Sequence, residues 1–138
     1  MRINYPPGLT VARKVGAAMS HLTLPEGVSD VSATTYRNCR ENGLCFTFWL
    51  TGREDTPCGI EPVRVIVAEY RNSDDIVLYL GEAGERPRND MGLTDRMYES
   101  LVFAGSVSAA ALRIVEHVTA QAKPKTERIR DGIKALLN

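Results

Sequence analysis

Residues 44–51 read LCFTFWLT, and along this stretch large apolar side chains alternate with smaller or more polar ones. A period of two is typical of a β-strand with one buried face, here the Leu/Phe face. Residues 31–36 and 63–68 alternate in the same way, and 76–80 is an apolar run that returns after a turn. Asn42-Gly43 is a strong hairpin signal between the first two runs. Because the connections are short, the pattern predicts an antiparallel meander.

Helical spacing of apolar residues brackets these strands on both sides. We predict a first helix over residues 10–22, a second from Ser106 or Ser108 to about Gln121, and a last one after Thr126. Apolar residues near 101–103 predict either a helical turn or a fifth strand. The expected fold class is therefore α+β, a four- to five-stranded antiparallel sheet packed with an N-terminal helix and two C-terminal helices.

Composition limits the classes of function that are open. The chain has 138 residues, the usual size of one domain, so we expect a single domain over residues 1–138. Lys plus Arg and Asp plus Glu are 17 each, and this balance argues against a dedicated nucleic-acid binder. No apolar run is long enough to cross a membrane, and the N-terminus lacks the apolar core of a secretory signal. We expect a cytoplasmic protein with neither a membrane nor a nucleic acid as its partner.

The sequence carries no motif for catalysis, metal binding or cofactor binding. It contains no G-x-S-x-G elbow, no H-E-x-x-H pair, no phosphate loop and no G-x-G-x-x-G run. Cys39, Cys45 and Cys58 form no C-x-x-C pair, and we expect them to stay reduced. His21 and His117 lie in predicted helices without a flanking catalytic pattern. We therefore expect a protein that is not an enzyme and that needs neither metal nor cofactor.

Residues 81–95, GEAGERPRNDMGLTD, form a long connection rich in glycine and charge. Loops of this length in a compact domain are uncommon and often functional. Arg86 and Arg88 offer planar forks of donors that suit phosphate, and Asn89 can bind a base edge or a ribose hydroxyl. In the alternative interpretation both arginines pair with acidic neighbours in a solvated loop, each pair contributing about 0–1 kcal/mol.

Further residues could complete a nucleotide pocket around this loop. Tyr79 ends the preceding strand and offers a ring for base stacking. Arg96 follows the loop, and Arg113 lies in the next helix, from which it can point back. The predicted ligand-binding residues are Tyr79, Arg86, Arg88, Asn89, Arg96 and Arg113.

An aromatic residue at a strand end, a polar loop with an asparagine, and a helical arginine follow one another here as Tyr79, Asn89 and Arg113. This order, with the predicted fold, resembles the first family of phage Thoeris anti-defence proteins. Those proteins bind cyclic ADP-ribose isomers made by TIR-domain enzymes and hold them without cleavage. Some form oligomers and take up cyclic oligonucleotides. The resemblance implies the same role in an infected bacterium, with a tyrosine where phenylalanine is expected and Arg86, Arg88 or Arg96 as the second pocket arginine.

Burying a doubly charged ligand requires nearly every phosphate oxygen to be paired, so we expect donors from two chains and hence a homo-oligomer. The apolar stripe of the last helix is a candidate interface, although it could instead pack on its own sheet; it consists of Ile129, Ile133, Leu136 and Leu137. Two other classes of function stay open. One is a protein–protein inhibitor or adaptor of a host defence complex, and the other is a nucleotide hydrolase.

Overall fold

A computed structural model describes residues 3, 10–37, 40–53, 56, 58–70, 73–86, 97, 101–123 and 125–137, with only the backbone at 29 and 125–129. The helices are α1 (Thr10–Ser20), α2 (Val107–Ala122) and α3 (Lys125–Leu137). The strands are β1 (Val28–Arg37), β2 (Glu41–Thr51), β3 (Ile60–Tyr70), β4 (Ile76–Leu80) and β5 (Leu101–Ala104). The fold is α+β, as the sequence predicts.

The strands form one antiparallel sheet in the order β1-β2-β3-β4-β5, so each strand pairs with its neighbour in sequence. In β2, Phe46 lies opposite Ala33 of β1 and Val65 of β3. β5 pairs with β4, so residues 101–103 form a strand and not the helical turn that the sequence also allowed. The prediction of a four- to five-stranded meander is confirmed, with five strands.

One face of the sheet is covered by α1 and α2. The β2 side chains of Leu44, Phe46 and Phe48 are fully buried on this face, as the alternating pattern predicts. Burying one such side chain stabilises the fold by about 1.5–3 kcal/mol. The helices contribute their own buried apolar residues to this core, including Ala12, Val15, Met19, Ala111, Ile114 and Val118.

Asn42-Gly43 does not form the predicted hairpin turn. The hairpin exists, but both residues lie inside β2, where Asn42 pairs with Arg37 and Gly43 pairs with Tyr36 of β1. Gly43 is needed for a different reason, because a Cβ atom there would overlap the carbonyl oxygen of Val67 on β3. A glycine in a strand often marks such a close approach of another backbone.

The opposite face of the sheet carries a second, smaller apolar cluster. Met97 belongs to it with 1% of its surface exposed, and it is the one residue of the range 87–100 that the structure describes. The sheet residues of this cluster are Tyr36, Cys45, Ile66, Ala68, Val77 and Tyr79. β4 is therefore buried on both faces of the sheet, which explains why its whole length reads as an apolar run.

The ends of α2 are fixed by local contacts. Of the two predicted N-caps, Ser106 takes the role, and its hydroxyl accepts a hydrogen bond from the backbone N–H of Ala109 at 3.1 Å. Beyond the other end, the ammonium group of Lys123 lies 2.9 Å from the carboxylate of Asp131 on α3. That contact lowers the pKa of Asp131.

The apolar side chains on the last turns of α3 point into solvent. Ile133, Leu136 and Leu137 are 52%, 87% and 81% exposed. These three residues therefore do not pack on their own sheet, the alternative that the sequence left open. Over the residues described, no helix has the length and apolar character required to cross a membrane.

Candidate anion-binding site

The connection that follows β4 begins as an ordered segment that is bound to β3. The backbone N–H of Gly81 donates to the carbonyl of Arg64 at 2.8 Å, and that of Gly84 donates to the carbonyl of Pro62 at 2.9 Å. Gly84 adopts a positive φ of 80°, a conformation that other residues rarely take. Gly84 is thus required by the backbone conformation of the loop itself.

The same segment is also bound to α2. The backbone N–H of Ala83 donates to the side-chain oxygen of Gln121 at 2.9 Å. The Nε2 atom of His117 lies 2.6 Å from the carbonyl oxygen of Gly81, so its N–H donates there. Burial lowers the pKa of His117, and the guanidinium of Arg113, one helical turn earlier, lowers it further. Arg113 therefore lies on the side of α2 that meets the start of the loop.

Arg86, in the loop, and Arg113, on α2, are both exposed. Neither forms an ion pair with another residue in the part of the chain that the structure describes. The carboxylate of Glu85, an expected partner of Arg86, instead accepts a hydrogen bond from the backbone N–H of Glu82 at 3.0 Å. The two guanidinium groups are therefore accessible to an anion from solution.

Tyr79 is buried, although its predicted role of stacking on a base requires an accessible ring. Its side chain is 4% exposed, and its hydroxyl donates to Oε1 of the buried Glu41 at 2.6 Å. Tyr36 donates to the same oxygen at 2.8 Å. Burial and the neighbouring Glu41 raise the pKa of Tyr79 far above its usual value.

The ring of Tyr79 belongs to the cluster on the second face of the sheet, whereas Arg113 projects from α2, which packs on the first face. The structure therefore does not bring Tyr79 and Arg113 together, and the covered ring offers no open surface for a base. We leave Tyr79 out of the candidate site for this reason. Three other predicted site residues, Arg88, Asn89 and Arg96, lie outside the described residues and stay predictions.

No signal in the sequence points to the buried Glu41 as a site residue. It stands beside a turn, where an acidic residue needs no special explanation, and its two tyrosine partners are 5 and 38 residues away. Both hydroxyl groups donate to the same oxygen, Oε1, and Oε2 of Glu41 is buried without a hydrogen-bond partner among the described residues. Glu41, Tyr36 and Tyr79 together therefore form a polar centre inside the second apolar cluster.

Arg53 was also missed, and its contacts are structural. Its side chain is buried, and its Nε donates to Glu61 at 2.9 Å. Its two Nη atoms donate to carbonyl oxygens at the end of α2, those of Gln121, Ala122 and Lys123, at 3.0–3.3 Å. A cation at this position satisfies the carbonyl groups that a helix leaves free at its C-terminus.

Arg64 binds the loop directly, because its Nη1 donates to the backbone carbonyl of Glu85 at 3.0 Å. It is half-buried on β3 and holds the loop one residue before Arg86. Its position next to the loop could not be read from sequence, because the two residues of this contact lie 21 positions apart.

The described residues contain no group of three or more His, Cys, Asp or Glu side chains placed to hold a metal ion. Comparison with protein-family models, with curated proteins and with solved structures finds no match for the chain. A function must therefore be argued from the geometry at the start of the loop and from the resemblance noted in the sequence.

Proposed function

We propose that the chain binds a cyclic nucleotide signal, such as a cyclic ADP-ribose isomer, and holds it without cleaving it. The observation that supports this most is that Arg86 and Arg113 are exposed, the first in a hydrogen-bonded loop and the second on the helix that this loop contacts. Guanidinium groups bind phosphate through paired N–H donors, and a loop held in place in advance reduces the entropy lost on binding. The predicted residues Arg88, Asn89 and Arg96 would add donors further along the same loop.

The proposal assigns no chemical step to any residue. Arg86 and Arg113 would neutralise phosphate charge, and Asn89 would bind a ribose or a base edge. His117, the histidine nearest to these arginines, already donates its Nε2–H to Gly81, and burial lowers its pKa. In this arrangement the histidine holds the loop. By the resemblance, the protein would act in the cytoplasm of an infected bacterium and could also take up cyclic oligonucleotides.

Ligand recovery separates this proposal from the other functions left open. The full chain is incubated with a cyclic ADP-ribose isomer, free ligand is removed, and the protein is heated to release what it retained. Intact ligand in the released fraction supports sequestration. A product of changed mass would support a nucleotide hydrolase, and no retained ligand would support a role in binding another protein.

Titration calorimetry with charge-removing variants tests the site itself. Arg86→Gln and Arg113→Gln should each weaken ligand binding by roughly 10- to 150-fold, the equivalent of about 1.5–3 kcal/mol for a charge-assisted contact. Arg37→Gln, which removes an exposed arginine at the far end of β1, is the matched control. Equal affinities in all three variants would remove this site from the proposal.

We also propose that copies of the chain associate through α3. The support is the exposure of Ile133, Leu136 and Leu137, together with the need for more phosphate donors than the described residues of one chain supply. Sedimentation equilibrium should show an oligomer that Leu136→Ser and Leu137→Ser shift toward the monomer. A monomeric wild-type protein at about 100 μM would exclude a stable oligomer and favour the adaptor alternative, in which another protein covers this helix.

A further inference from the structure

The described arginines differ in how many of their N–H groups have protein partners. An arginine side chain carries five N–H donors in a rigid fork. Arg53 uses Nε and both Nη atoms, and these bonds account for its burial. Arg64 is half-buried as well, yet its guanidinium makes one hydrogen bond within the part of the chain that is described, from Nη1 to Glu85.

The remaining donors of Arg64 lie near the backbone that leads into Arg86, on the face of the sheet opposite α2 and Arg113. The carbonyl that it binds belongs to the peptide group that joins Glu85 to Arg86, so the Nη1 atom of Arg64 lies 3.0 Å from the carbonyl oxygen that directly precedes Arg86. A half-buried cation attracts an anion more strongly than an exposed one, because less water screens the charge. Arg64 is therefore better placed than a fully exposed arginine to contribute to anion binding.

We propose that Arg64 is the second guanidinium of the anion site and binds a phosphate oxygen together with Arg86. The chemical class of ligand is a diphosphate or a nucleotide that carries one. The identity of that ligand rests on the proposed function, but the anion site does not. The bond to Glu85 gives Arg64 a second effect, since it also positions the loop that presents Arg86.

Side-chain NMR of the full chain with inorganic pyrophosphate tests direct contact. The Arg64 Nε–Hε signal, assigned by its loss in Arg64→Lys, should shift with the same saturation curve as that of Arg86. In binding measurements, Arg64→Gln should weaken pyrophosphate binding by at least about tenfold, and Arg64→Lys, which keeps the charge but loses the fork, should weaken it less. Arg37→Gln again controls for the loss of one positive charge.

The results distinguish this inference from the proposed function. If pyrophosphate shifts the Arg64 signal but no cyclic nucleotide is retained, the anion site stands and the sequestering role fails. If a cyclic ADP-ribose isomer is retained equally by wild type and Arg64→Gln, the role stands and Arg64 has no part in it. A residue that only positions the loop would give no Arg64 signal shift and equal losses in the Lys and Gln variants. That pattern, or the absence of binding by both probes, would overturn the assignment.

Discussion

The contacts of Arg53 lead to a quantitative prediction about stability. Arg53→Met keeps an unbranched apolar stem but removes every N–H donor. It leaves the carboxylate of Glu61, whose side chain is 15% exposed, without its cation. It also removes the hydrogen bonds to three carbonyl groups at the C-terminal end of α2.

The expected loss is about 3–4 kcal/mol in the free energy of unfolding. Breaking a buried ion pair by removing one partner costs about 3–5 kcal/mol, and hydrogen bonds to charged groups contribute about 1.5–3 kcal/mol each. These values do not add, because carbonyl groups at a helix end regain water when the guanidinium is gone. We therefore expect a total near the lower end of the ion-pair range, a large part of the stability of a domain of this size.

Urea denaturation followed by the fluorescence of Trp49, the single tryptophan of the chain, measures this loss. Arg53→Lys should lose less, because it keeps a charge near Glu61 but cannot reach three carbonyls at once. In Arg53→Met/Glu61→Leu, the total loss should be smaller than the sum of the single losses, since no buried charge is left unpaired. A loss below about 1 kcal/mol for Arg53→Met, or strict additivity, would refute the reasoning.

Three more predictions follow from single positions. Burial lowers the pKa of His117 in the folded protein, so below about pH 6.5 the unfolded chain binds more protons than the folded one. The free energy of unfolding should therefore fall as the pH drops from about 6.5 toward the folded pKa. His117→Gln should flatten this part of a stability–pH curve. Gly43→Ala should cost more than about 2 kcal/mol in urea denaturation, because its Cβ would overlap a neighbouring strand, and a loss within about 0.5 kcal/mol would contradict the close packing. In a Cys39→Ser background, a thiol reagent should modify exposed Cys58 at once, whereas buried Cys45, whose pKa is raised, should react only with unfolding; equal rates would contradict its burial.

The fold could be predicted because its signals are local. The alternation along residues 44–51 specifies a strand with one buried face, and helical spacing on either side specifies the covering helices. The Asn42-Gly43 signal was misplaced because a turn dipeptide does not reveal whether another backbone passes close by. Only the register of β2 against β3 shows that Gly43 makes room for a neighbouring strand.

The candidate site could be predicted only in part. The apolar run of β4 conceals which side chains face α2, so Tyr79 could be read as a ring beside the loop although it lies on the opposite face. Arg86 and Arg113 were found because arginines in and near a polar loop are a visible feature. Arg64 was not found, since a basic residue in an alternating strand looks like an ordinary solvent-facing side chain.

By itself, the amino-acid order specified the kinds of secondary structure, their sequence along the chain and the antiparallel pairing, because periodicity and turn residues act over a few positions. The tertiary structure decided which arginines have their hydrogen bonds satisfied, which tyrosine is covered and which helix face stays in solvent. These outcomes depend on partners as far apart as Arg53 and Lys123, 70 residues away. Such contacts form only once the sheet register has brought distant backbone groups within hydrogen-bonding distance.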